Sequence, residues 1–147
     1  MKVNQKINGS IFVIGLALMS SAQAGPTVNI TFKNNGSSIA EYDVIGSSAY
    51  SYSEANPKPP EGVAPGTSSR FAVLGRLSPD VTTAIFQYRM GTKFCRFQTS
   101  YVKLPGRGGA APKWTKSAKA EGGAWCDIRV VSTDMRTHNW SVEFIMR

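Results

Sequence analysis

"TTAIFQYRMGTKFCRFQTSYV", Thr82 to Val102, decides the fold. Ala84, Phe86, Tyr88 and Met90 alternate with Gln87 and Arg89. Beyond Gly91 and Thr92 the alternation resumes, with Cys95, Phe97, Thr99 and Tyr101 against Arg96 and Gln98. A period of two over so many residues is that of half-buried β-strands, one face on a core and one in water. The Gly91-Thr92 break is short enough to fold the two runs back on each other as a hairpin.

The same pattern extends in both directions. "TVNITFKN" places Val28, Ile30 and Phe32 on one side, and "SIAEYDVIG" places Ala40, Tyr42 and Val44 on one side. With "NNG" between them they read as a first hairpin. "SAYSYS" is a weaker strand candidate. "EANPKPPEGVAPG", Glu54 to Gly66, carries four prolines and reads as a surface loop between two sheets. "SRFAVLGRL" turns Phe71 and Val73 inward, "AWCDIRVVS" turns Cys126, Ile128 and Val130 inward, and "NWSVEFIM" does the same with Trp140, Val142, Phe144 and Met146. No segment has a convincing helical period. The expected fold is all-β: one antiparallel β-sandwich of seven or eight strands, or a barrel.

Residues 1–24 read as a leader. Lys2 and Lys6 precede the apolar run Ile11 to Met19, and Ala22 and Ala24 supply the small residues of a cleavage site before Gly25. Residues 25–147 are then one exported domain, periplasmic or extracellular. In an oxidising compartment the only two cysteines, Cys95 and Cys126, are expected to form a disulfide. Two cysteines and one histidine give no recognisable zinc spacing, so neither metal nor cofactor is expected.

Charge is uneven along the chain. Gly25 to Tyr88 holds four bases and five acids, whereas Arg89 to Arg147 holds eleven bases and four acids. No acid occurs between Val81 and Ala120. Such a bias points to an anionic partner: a membrane surface, an acidic glycan or an acidic protein. Nucleic acid is disfavoured because an exported protein meets little of it.

The bias concentrates in "LPGRGGAAPKWTKSAKAEGGAWC", Leu104 to Cys126, which reads as a long, basic, glycine-rich loop tied down by the disulfide. Its expected ligand-binding residues are Arg107, Lys113, Trp114, Lys116 and Lys119. Lysines meet phosphate or carboxylate, and an exposed indole stacks on a sugar or sits among lipid headgroups. The competing reading folds Trp114 back as a cap on the core. In outline the chain resembles secreted membrane-binding or glycan-binding sandwiches, in architecture alone and with no shared motif.

The sequence therefore leads to a non-catalytic binding protein for an anionic surface or ligand. The alternatives are an exported inhibitor, immunity or assembly subunit that binds an acidic protein, and, third, a small hydrolase. The hydrolase reading rests on His138 near Asp134 and Ser132, without a G-x-S-x-G motif, or on paired carboxylates such as Glu41 and Asp43 on one strand face, with Asp127 and Glu143 on late strands.

Overall fold

The computed structural model describes residues 23–147. The leader reading lies outside the described residues except for Gln23 and Ala24. The chain forms β1 (Thr27–Asn34), β2 (Ala40–Tyr42), α1 (Ala49–Glu54), β3 (Ala55–Asn56), β4 (Gly62–Val63), β5 (Ser68–Leu74), β6 (Val81–Met90), β7 (Lys93–Leu104), β8 (Ala111–Glu121), β9 (Cys126–Thr133) and β10 (Trp140–Met146). Two five-stranded sheets result. One has the order β3-β5-β1-β10-β9 and the other β4-β2-β6-β7-β8. All strand pairs are antiparallel except β1 with β10.

The alternation read from the sequence is the packing for most strands, but Val44, just past β2, and Val130, within β9, are expected inward and are exposed. Val28, Ile30, Phe32, Phe71, Val73, Trp140, Val142 and Phe144 are buried on the first sheet, and Ala84, Phe86, Tyr88, Phe97 and Tyr101 on the second. Aromatic rings lock the layers together. Phe32 stacks on Tyr88 with centroids 3.6 Å apart, Phe144 stacks on Phe97 at 4.7 Å, and Phe71 meets Phe86 at 4.8 Å. The β6–β7 hairpin pairs Met90 with Lys93 around Gly91, whose φ of 59° suits a tight turn. The Cys95–Cys126 disulfide is present and joins β7 of one sheet to β9 of the other. That disulfide, with no helix among the described residues long and apolar enough to cross a membrane, is compatible with an exported protein.

Three expectations are corrected. The first hairpin does not form: β1 pairs with β5 and β10, whereas β2 pairs with β4 and β6 in the opposite sheet. "NNG" is a crossing between layers rather than a hairpin turn. "SAYSYS" is not a strand but lies in helix α1 and the turn before it. β2 leaves β6 after Tyr42, so the free edge of β6 would expose its backbone. The Ile85 amide instead donates to Ser51 Oγ at 2.9 Å, and a hydroxyl on a short helix replaces a missing strand.

The third correction is the long basic loop. Eleven of its residues, Ala111 to Glu121, form β8, paired with β7 along its whole length. The loop shrinks to the six residues from Pro105 to Ala110, and the turn after β8 is Gly122 to Trp125. Pro112, Trp114 and Ala118 are half-buried at every second or fourth position. Their period of two is masked because Lys116 and Ala120 take the remaining inward positions. An edge strand needs little apolar surface, and it accepts both lysine and proline.

Candidate binding surface

The register of β7 and β8 sorts the basic residues by face. The pairs Val102–Lys113, Ser100–Thr115, Gln98–Ser117, Arg96–Lys119 and Phe94–Glu121 point away from the core. Tyr101–Trp114, Thr99–Lys116 and Phe97–Ala118 lie on the core side. The five residues expected to act together are therefore divided. Lys113 and Lys119 share the outer face, Trp114 and Lys116 belong to the inner one, and Arg107 sits in the loop between the strands.

Trp114 is integrated into the fold. Its indole N–H donates to the His138 carbonyl oxygen at 3.2 Å, and its ring lies 5.8 Å from that of Tyr101. The Tyr101 hydroxyl is bonded to His138 Nδ1 at 2.7 Å. Trp140 Nε1 donates to Thr99 Oγ1 at 2.9 Å, and Thr99 Oγ1 donates to the Thr115 carbonyl at 3.0 Å. Burial pushes the Tyr101 hydroxyl above its ordinary pKa, and the charge of Asp80 adds to the effect. These bonds close one end of the sandwich core.

Lys116 reaches across to the other sheet. Its Nζ donates to the Ile128 carbonyl on β9 at 2.7 Å. β8 and β9 are the edge strands on the same side of the sandwich, so this lysine caps a backbone acceptor between them.

The outer face carries both engaged and unpaired cations. Lys119 holds Glu121 at 2.8 Å, and this bond and charge keep the Glu121 carboxyl below its ordinary pKa. Arg96, opposite Lys119, donates from Nε to Gln87 Oε1 at 3.2 Å, and Gln87 Nε2 donates to Asp43 Oδ2 at 2.8 Å. Lys113 and Arg107 are exposed and have no acid within salt-bridge distance among the described residues. Arg96 was legible as outward-facing from its place opposite the Cys95–Phe97 parity, yet only pairing with β8 puts it beside Lys119.

His138, Asp134 and Ser132 are not assembled as a hydrolytic group. Asp134 Oδ1 accepts the amides of Arg136 at 2.7 Å and Thr137 at 3.1 Å, which holds its carboxyl below the ordinary pKa. His138 Nδ1 is taken by Tyr101, and Ser132 pairs with Ser141 on an exposed strand. Among the described residues no group of three His, Cys, Asp or Glu side chains is placed to hold a metal ion. The chain matches no model of a known protein family, and no curated protein matches it.

Proposed function

We propose that this chain is an exported, non-catalytic binding protein whose β7–β8 hairpin engages an anionic surface, of lipid headgroups or acidic glycan. One observation carries the reading. Lys93 to Glu121 contains seven bases and one acid, and of those bases only Lys103 and Lys119 have carboxylate partners among the described residues. A rigid antiparallel hairpin holds these cations, so little ordering is needed on contact. Their long-range field also favours encounter with a polyanion.

The test replaces Arg107, Lys113 and Lys119 with serine in protein purified from the exported fraction. Each cation near an anionic surface contributes about 1 kcal/mol, so affinity for heparin or for phosphatidylglycerol vesicles should fall roughly a hundredfold at low salt. The dependence on salt should flatten in parallel. A variant that binds both probes as the parent does, at every salt concentration, refutes the reading. Capture of an acidic protein with no affinity for either polyanion would instead favour the interaction-module alternative.

A further inference from the structure

Three connecting loops meet at the end of the sandwich that Trp114 and His138 close. The loop between β5 and β6 comes down beside the end of β7, where the Lys103 amide donates to the Asp80 carbonyl at 2.9 Å and Lys103 Nζ lies 3.8 Å from the Asp80 carboxylate. The β7–β8 loop starts one residue further, at Leu104 paired with Ala111. The β9–β10 loop arrives through His138, bonded to both Tyr101 and Trp114. Pro79, Lys103 and Asn139, one from each side of this junction, line one open cavity of about 450 Å³.

Two of these loops and the last residue of β7 carry an exposed apolar side chain near a base. Leu77 is 81% exposed and follows Arg76; Met135 is 66% exposed and precedes Arg136; Leu104 is 42% exposed between Lys103 and Arg107. The charges at this end are not all available. Arg76 is paired with Glu54 at 2.5 Å, Lys103 with Asp80, and Asp134 lies beside Arg136. Arg107 and Lys113 remain as an excess of positive charge. Single exposed leucines are ordinary, but three exposed apolar side chains at one end of the sandwich, with Arg107 and Lys113 unpaired at that end among the described residues, match a lipid interface. A sugar polymer offers nothing for Leu77 or Met135 to enter.

The chain enters the domain at this same end. The Gly25 amide donates to the Gly75 carbonyl at 2.6 Å, and Gln23 and Ala24 line the cavity between the β5–β6 loop, the end of β7 and the β9–β10 loop. The apolar sequence run Ile11 to Met19 is thus joined, through five residues, to the end that carries Leu77, Leu104 and Met135.

We infer that the anionic surface is a lipid bilayer, met end-on, with Leu77, Leu104 and Met135 entering the headgroup layer while Arg107 and Lys113 contact phosphate. This rests on the anion-binding reading and narrows it. The experiment uses exported protein whose intact mass begins at Gly25, with vesicles of phosphatidylcholine with and without phosphatidylglycerol, and heparin as a sugar polyanion. The parent should bind the anionic vesicles. The variant Leu77→Ser, Leu104→Ser, Met135→Ser should lose about a hundredfold in vesicle affinity and keep its heparin retention. These three side chains are exposed, and an unchanged melting curve will confirm that the variant is folded. A variant that binds vesicles like the parent overturns the inference, as does one that loses heparin and vesicles together. A parent that binds heparin but no vesicle overturns the inference and leaves the anion-binding reading standing. A parent that binds neither removes both.

Discussion

Trp114 and His138 hold each other at the end of the core: the indole N–H meets the histidine carbonyl at 3.2 Å, and His138 adopts a φ of 62°. Left-handed backbone is uncommon for a residue with a side chain, although histidine tolerates it better than most. Here it is fixed from three sides, by Trp114, by the Tyr101 hydroxyl, and by the His138 amide donating to the Asp134 carbonyl at 2.8 Å. Trp114→Ala removes a half-buried ring and leaves that carbonyl without its donor. It should cost about 2 to 3 kcal/mol in chemical denaturation, below the range for a fully buried aromatic. Trp114→Phe keeps most of the packing and should cost about 1 kcal/mol. An alanine variant as stable as the parent would show that the indole is not part of the cap.

Lys113 and Lys116 are three residues apart and should behave differently. Lys113 stands on the outer face without a bonded partner among the described residues, so Lys113→Ala should change stability by less than about 0.5 kcal/mol. Lys116→Ala strips the Ile128 carbonyl of its ammonium donor and should cost about 0.5 to 1.5 kcal/mol. Paired urea curves measure the difference. Equal midpoints would mean that water replaces the ammonium at no cost.

The disulfide closes 31 residues of sequence and joins the two sheets. Removing it with Cys95→Ala and Cys126→Ala should cost about 3 to 4 kcal/mol in the loop-entropy picture. Material from the exported fraction should show both thiols oxidised by intact mass. Free thiols there would contradict a structural role.

Alkali should destabilise the fold through its tyrosines. Burial raises the hydroxyls of Tyr42, Tyr88 and Tyr101 above their ordinary pKa of about 10. Above that pH the unfolded chain releases these protons while the folded chain retains them, so the folded state binds more protons and stability falls as pH rises. Below about pH 9 the three contribute no slope. Melting temperature should therefore hold steady from neutrality to about pH 9 and decline from about pH 10 upward. Tyr88→Phe should blunt the decline. Its buried hydroxyl has only the Ser69 hydroxyl beside it, so the substitution sacrifices little hydrogen bonding.

The core faces of β6 and β7 were legible because their apolar residues alternate, whereas Val44 and Val130, expected inward by the same parity, are exposed where the chain after β2 and the later part of β9 leave the core. Ala84 through Met90 and Cys95 through Tyr101 are all inward at the expected parity. Sheet order was not legible, since nothing in "TVNITFKN" distinguishes an antiparallel neighbour from a parallel one. β8 was hidden by composition: glycines at both ends and lysine at an inward position resemble a loop until β7 supplies the pairing. The end loops left even less trace. A single leucine or methionine in a turn has no periodicity, and only the strand register puts Leu77, Leu104 and Met135 at one end of the sandwich.

The parallel pairing of β1 with β10 has a consequence for how the protein comes into being. Val28 lies beside Trp140 and Phe32 beside Phe144, so the middle of one sheet is filled by the final strand of the chain. Until residues 140–146 have been synthesised, β1 lacks a neighbour on one side and the β7 aromatics lack Phe144 above them. Contacts between the two extremes of sequence also form late, because the loop they close is the longest the domain offers. The first sheet thus cannot be completed before residues 140–146 are in place.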